Sequence, residues 1–453
     1  MTFNFSWDRV SSPLNTIQVA GVPTVTTYAT ALTGTYTQLL PSGTSYFLGI
    51  NGLRQSSTQQ FLRFNPAVIS RFTVGFNQPV LNGFGLLPNE RFLLVARNNQ
   101  KVSEEIFRLQ VVNTVVRVEN IYWDMAAFQE NVKVAEQSLS VAQKLLRDNQ
   151  IRSEIGTMAP LDVLSAESEV AARQRDLIVA RTNLQIQEAT LKSVLTKKAD
   201  PDLDRVQIIT TDPLPEVKEE EIDPQNALNT SYENRPDLRQ AETNLANQQI
   251  AARFTENSLR PNLAVFGMYA GSGLQGNTTA QRAGASEALG QAFGGDFPEL
   301  SLNIPLRNRA AQADDIRAQL ERNQLEVTLQ RLRNQIGLEV RQAVIGLIQG
   351  KAQVKAANLA VTLARQTLDG EQKKLQEGVS TSYQVILRER DLIAAELAAV
   401  QAQAAYAKAL VEMERAMGTT LERNGIQLND ALTGTVTSMP VPAFGLGSRK
   451  GGK

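Results

Sequence analysis

"EIGTMAPLDVL", Glu154 to Leu164, and "QEGVSTSYQVI", Gln376 to Ile386, are one phrase written twice, 222 residues apart. Each holds a glycine, Gly156 or Gly378, then a small residue three positions on, Ala159 or Thr381, then a helical pattern. In the same register Val163 falls on Val385, Glu167 on Glu389, Ala172 on Ala394 and Ala180 on Ala402. Upstream, Ala135 falls on Ala357 and Ala142 on Ala364; further back the offset drifts, and Pro79 meets Pro305. Small insertions in duplicated segments leave such a drift, so the chain reads as a tandem duplication.

Both halves follow one grammar. Period-two alternation comes first: Phe72, Val74 and Phe76 against Thr73, Gly75 and Asn77, then Leu300, Leu302 and Ile304 against Glu299, Ser301 and Asn303. These are strands with an apolar and a polar face. Pro79 and Pro305 mark their ends, since proline cannot donate to a ladder. The period then changes to three or four, through Leu325, Leu329, Leu332, Ile336, Val340, Val344 and Leu347 to Leu359, Leu363 and Leu368. A helix of roughly 65 residues is about 100 Å long, far beyond what a globular domain needs, and predicts a coiled-coil hairpin. The first half offers the same run from Asn89 to Gly156, and Ala-rich return arms follow at Pro160 to Leu195 and Ser382 to Met417. The repeated phrase is thus the turn of a long helical hairpin, with the glycine supplying a permissive backbone and Ala159 or Thr381 restarting the helix.

Composition removes whole classes of chemistry. The 453 residues contain no histidine and no cysteine, which excludes the usual zinc ligands, Ser-His and Cys-His nucleophile pairs and any disulfide framework. Lys plus Arg and Asp plus Glu both number 46, so the charge balance points to no nucleic acid. No run of about 18 apolar residues occurs, so a membrane role requires strands. The opening "MTFNFSWDRV" carries no signal peptide. The carboxylates of the long helices read as solubilising charge, with no enzymatic site, cofactor or metal expected. Between the halves, 197–236 is a proline-rich break whose acidic run "EVKEEEID" reads as a solvated linker, followed by a short helix at Asp237 to Asn257.

Strand, proline, long helix, glycine turn and returning helix, all done twice, resembles the TolC-type outer membrane efflux protein family. "FNQPVLNGFG" (Phe76 to Gly85) and "NIPLRNRA" (Asn303 to Ala310) are similar to its strand-to-helix junctions, with Pro79, Gly83 and Pro305 as the marking residues. "ENRPDLRQAETNLANQQIAA" (Glu233 to Ala252) is similar to its short helix ahead of a barrel strand, and "GTMAPLDVL" and "GVSTSYQVI" to its periplasmic tip turns. The resemblance implies a mainly α protein with a β-barrel part: a homotrimer in which each chain gives four strands to a shared outer-membrane barrel, with the helices forming a periplasmic tunnel. It implies no enzyme but the exit channel of a tripartite efflux or type I secretion system, working with a periplasmic adaptor and an inner-membrane transporter. The physics agrees, because two strand pairs cannot close a barrel alone and open edges in lipid leave backbone groups unpaired. Phe72, Val74, Phe76, Phe3, Phe5 and Trp7 then face lipid, and Thr73 and Asn77 line water.

The implied sites are an adaptor-contact surface at Ile155, Gly156, Thr157, Ala159, Gly378, Val379, Ser380 and Thr381, and a pore constriction at Asp162 and Gln384. The latter lie six residues after each glycine and are expected one to two turns into the returning arm. The implied divisions are barrel strands at 1–87, a helical hairpin at 88–196, an equatorial linker with a short helix at 197–260, strands at 261–308, a second helical hairpin at 309–418, and an equatorial and disordered segment at 419–453. Three departures stand out. The first half lacks a short helix before its strand, as in a chain started late; Tyr28 to Arg54 reads as an added strand pair around a Pro-Ser-Gly turn; and Gln384 replaces an aspartate. The rival classes are a periplasmic adaptor, with one hairpin between two halves of a small β domain, and a soluble structural coiled coil.

Overall fold

The protein's structure, a computed structural model, describes residues 1–15, 17–18, 20–156, 159–196, 201–217, 223–278 and 286–434. In chain order the elements are β1 (Thr2–Pro13), β2 (Thr24–Leu39), β3 (Ser45–Ser57), β4 (Phe64–Pro79), α1 (Leu86–Glu154), α2 (Pro160–Leu195), α3 (Pro201–Arg205), α4 (Pro224–Asn234), α5 (Pro236–Ser258), β5 (Asn262–Thr278), β6 (Ser286–Asn303), α6 (Arg309–Gln376), α7 (Ser382–Met417), α8 (Thr420–Arg423) and α9 (Leu428–Thr433). They form two compact units, Met1–Lys101 with Thr243–Val327, and Val102–Glu242 with the chain from Thr328.

The strands of the first unit make one antiparallel sheet in the order β1-β2-β3-β4-β5-β6. The Tyr28 to Arg54 segment is indeed a hairpin, with Tyr36 opposite Leu48 and Leu32 opposite Gly52. Register joins the apolar residues of every strand. Phe3 lies opposite Gly34 and Gly34 opposite Ile50; Ile50 faces Phe72, Leu48 faces Val74 and Tyr46 faces Phe76; Val74 then meets Tyr269, and Val265 meets Leu300. Directly paired residues share a face of the pleat. Aromatic rings lie over three cross-strand glycines: a Cβ on Gly34, Gly75 or Gly267 would strike Phe3, Phe47 or Phe76 within 3 Å. A ring shielding a paired glycine restores cross-strand contact that the glycine lacks.

Strand passes to helix through a pinned junction. Asn89 Nδ2 donates to the carbonyls of Gly83 (2.9 Å) and Gly85 (2.8 Å), while the Gly83 N–H donates to Asn257 Oδ1 of α5 at 2.9 Å. Gly83 and Gly85 hold φ of 82° and 99°, which a side chain would resist. The helix starts at Leu86, ahead of the run expected from Asn89, because Pro88 sits in the first turn, where its missing N–H has no intrahelical partner to lose. The second junction is built differently: β6 ends two residues before Pro305, and the left-handed position is taken by Arg307 at φ 66°.

In the second unit the helices are paired as the period predicts. α1 and α6 have 69 and 68 residues, and α2 and α7 have 36 each. Trp123 (3% exposed), Val112, Val116 and Ala126 of α1 pack on Ala407 and Val411 of α7. Small side chains permit this approach: Ala404, Ala407 and Ala416 are buried on α7, and Gly350 of α6 lies against buried Tyr406. The proline-rich break corrects one expectation. Pro224 opens α4 rather than interrupting the chain, since proline suits the first helical position and Asp223 caps it by accepting from the Gln225 N–H at 3.0 Å. Ahead of the acidic run the chain is held to α1: Leu214 packs on the Trp123 cluster and Tyr122 Oη donates to Asp212 Oδ2 at 2.8 Å. Most of the acidic run, at 218–222, and the expected disordered tail lie outside the described residues.

Candidate functional site: a two-faced sheet and two hairpin turns

The sheet inverts the usual rule of burial. Its apolar face carries Phe3, Phe5 (71% exposed), Trp7, Leu32, Ile50, Phe72, Val74, Phe76, Tyr269, Leu300 and Leu302, all exposed. An apolar surface this extensive marks an interaction face. On β4 it runs from Val68 to Phe76, about nine residues, the length a tilted strand needs to cross a hydrocarbon core. The opposite face carries most of the strands' hydroxyls and amides, interspersed with Phe47, Leu53, Ile69 and Phe266, and is knitted by side chains across strands, as in Thr2 to Thr35 (3.4 Å) and Asn51 to Thr33 (3.0 Å). A membrane on one side and water on the other is the environment that suits both.

The two turns share a mechanism. Gly156 and Gly378 both adopt φ 76°, in the left-handed region, with open space where a Cβ would stand. At the second turn the Gly378 N–H donates to the Leu375 carbonyl (3.2 Å) and the Val379 N–H to that of Lys374 (3.0 Å), closing the helix end. Ala159 and Thr381 are the caps that restart the helices, as the sequence predicts. They differ: Ala159 has no side chain to cap with and relies on Pro160, whereas Thr381 accepts from the Gln384 N–H at 3.4 Å. Ser380 Oγ donates to Glu371. The turns also present bare apolar side chains, with Ile155 67% and Val379 77% exposed. Thr157 lies outside the described residues.

Asp162 is half-buried and Gln384 exposed. Both stand in the first turn of the returning helix, not one to two turns in, because α2 starts at Pro160 and α7 at Ser382. Gln384 follows Thr381 by three residues, the spacing of a capping box, and Asp162 sits where a helix N-terminus favours negative charge.

Behind the turns lies a cluster that sequence reading missed. Glu169 of α2, 3% exposed, accepts from Arg173 Nε at 2.7 Å and from Arg390 Nε of α7 at 3.2 Å. Burial alone would raise its carboxyl, but the two arginines outweigh burial and hold it below the usual carboxylate range. Glu389 is 5% exposed; burial, and then the charge of Glu169, push it up to about 7 against the opposing pull of Arg173. Its Oε1 has no hydrogen-bond partner among the described residues, and it borders a cavity of about 160 Å³ lined also by Asn149, Arg152, Leu375 and Val385. Ser382 Oγ donates to buried Asn149 Oδ1 at 3.3 Å, tying α7 to α1. The repeat register aligned Glu389 with Glu167, yet Glu167 is exposed; the carboxylate that faces α7 is Glu169.

Residues 45–197 match the model of the outer membrane efflux protein family. The outer membrane efflux protein BepC of Brucella suis biovar 1 (strain 1330) is 22% identical over 362 residues, covering 79% of this chain and 74% of its own. Among solved structures, the outer-membrane channel OprN superposes with a TM-score of 0.59 at 17% identity, over 87% of this chain and 81% of that one. The open state of the MtrE outer membrane channel of Neisseria gonorrhoeae does so with a TM-score of 0.56 at 16% identity, over 93% and 81%. With its two-faced sheet and paired long hairpins, the chain is similar in sequence to outer membrane efflux proteins and shares the fold of these outer-membrane channels.

Proposed function

We propose that three copies of this chain form the exit duct of a tripartite efflux or type I secretion system, together with a periplasmic adaptor and an inner-membrane transporter. The protein is an outer membrane efflux channel of the channel-tunnel type. The observation that carries this is the exposed apolar face, continuous through register across all six strands and backed by a polar one. A soluble coiled coil has no use for such a face, and an adaptor would split its β part around one hairpin rather than carry two. The near-equal lengths of α1 and α6, and of α2 and α7, support descent of the halves by duplication.

Ile155, Gly156, Thr157, Ala159, Gly378, Val379, Ser380 and Thr381 are read as the adaptor contact. The exposed Ile155 and Val379 support that reading, since a partner helix tip recovers apolar area that water now wets. Asp162 and Gln384 are read as the constriction, where three carboxylates and three amides would ring the axis of the trimer. Fixed negative charge in a narrow mouth favours cations, so Asp162→Asn should weaken cation preference in planar bilayers and Gln384→Asp should strengthen it. If neither substitution moves the reversal potential, those residues act as caps alone.

The whole reading is tested by deleting the gene and following retention of a fluorescent efflux dye. Wild-type protein should restore export and fractionate with the outer membrane. The variant Ile155→Asp/Val379→Asp should reach the outer membrane yet fail to export. Normal dye export in the deletion strain, or recovery of the protein from the soluble fraction, would refute it.

A further inference from the structure

The resemblance implies four strands per chain, whereas this sheet has six. The family match begins at residue 45, the first residue of β3, so the additional pair is β1 and β2 rather than the Tyr28 to Arg54 hairpin. Four observations place that pair in the wall. β1 is paired to β2 along its whole length, from Thr2 opposite Thr35 to Pro13 opposite Thr24, and β2 to β3 from Thr27 opposite Ser57 to Leu39 opposite Ser45. Phe3, Phe5 and Trp7 share the apolar face with Phe72, Val74 and Phe76, while Thr2 and Thr35 join the polar one. The turn between β2 and β3 is anchored to the strand-to-helix junction: the Gly85 N–H donates to the Ser42 carbonyl at 3.1 Å, and Thr44 Oγ1 bonds Gln78 Oε1. Finally, among the described residues β1 and β6 are the sheet's edges, each with a neighbour on one side only.

An edge held in lipid leaves a row of N–H and C=O groups without partners, so neither edge can remain open. With an even number of alternating strands, β1 and β6 run antiparallel, which lets copies of the chain close head to tail with no parallel joint. We propose that the free edge of β1 in one copy pairs with the free edge of β6 in the next, and that three copies close a barrel of eighteen strands. The number eighteen rests on the trimer reading above; the pairing of the edges does not. At a strand spacing of about 4.8 Å and a tilt of about 40°, such a barrel has a backbone diameter of about 36 Å, against about 24 Å if only β3 to β6 formed the wall. The opening through the outer membrane is thus roughly 1.5-fold wider, suiting bulkier solutes at that level of the duct.

The chain's lack of cysteine makes the test clean. Cysteines on the polar face of β1, at Asn4, Ser6 or Asp8, are combined one at a time with Ser301→Cys or Asn303→Cys on β6, and the full-length protein is oxidised in the membrane. Covalent dimers and trimers on denaturing gels are expected from at least one combination. The competing pair, Asn51→Cys on β3 with Ser301→Cys, should give none. Oligomers from the β3 pair, or none from any β1 pair, would overturn the proposal. Imaging of the wild-type oligomer in lipid discs supplies the second readout, with the 1.5-fold larger diameter expected. A copy number other than three, with β1–β6 cross-links present, would refute the trimer while upholding the joint.

Discussion

Trp7 and Trp123, the chain's two tryptophans, occupy opposite environments: Trp7 is 67% exposed on β1, whereas Trp123 is 3% exposed beneath α7. The sheet unit exposes a row of large apolar side chains on one face and gathers most of its hydroxyls and amides on the other, while the helical unit buries apolar residues and wets most of its charges as a water-soluble protein does. The difference teaches that one chain is built for two solvents. In the helices water supplies the driving force for packing; in the sheet a hydrocarbon phase must replace it, and stability there comes from backbone pairing and from lipid around the exposed rings.

The largest effect that can break this comparison is expected in the helical core. Trp123→Ala removes a ring packed edge-on against Tyr122 at 5.2 Å and seated on Ala407 and Val411, and should cost about 3–5 kcal/mol, read as a lowered urea midpoint of helical ellipticity. Trp7→Ala, in the outward row, should barely move that midpoint. Next comes the sheet. Phe72 is central in the apolar band, and Phe72→Arg should destabilise assembly by about 2–4 kcal/mol in bilayers, whereas Thr73→Arg, one residue on and facing water, should be tolerated. Equal effects of the pair would show that the face assignment is wrong.

A subtler contrast lies in buried charge. Glu389 titrates near 7 in the folded hairpin and near 4.5 unfolded, so the folded form holds its proton more firmly. Stability from this group is therefore complete below about pH 4.5 and is lost as pH rises through 7, a change of a few kcal/mol at most. Glu389→Gln should flatten that slope, making the variant the more stable protein at pH 8; an unchanged pH profile would mean that the carboxylate is satisfied when ionised. The smallest effect is at the second turn, where Thr381→Ala removes a cap absent from the first turn and should cost about 1 kcal/mol, seen as faster amide exchange in the first turn of α7.

Local pattern made much of this legible. The change from period two to period 3.6, the glycines at Gly156 and Gly378 and the small residues three later predict the long hairpins, and α2 and α7 begin and end where that reading places them. Proline misled where position mattered more than identity: Pro224 read as part of a break but opens α4, at a helical position where proline is tolerated. The Glu169 cluster left no trace, because a salt bridge between residues 221 apart follows from how α2 meets α7 and not from either helix's own pattern.

The sequence by itself determined the two long hairpins, their turns and the period-two alternation of the strands, since these depend on neighbours within a few residues. Tertiary structure decided which faces became one surface. A slip of one residue in any of the five strand pairings would have turned a neighbour's apolar row toward water, and only the register puts Phe3, Ile50, Phe72 and Tyr269 on the same side. It likewise decided that Glu169 and not Glu167 meets Arg390, and that β1 and β2 continue the sheet. Pairing and register are settled by contacts between distant segments, whose energies no single stretch of chain contains.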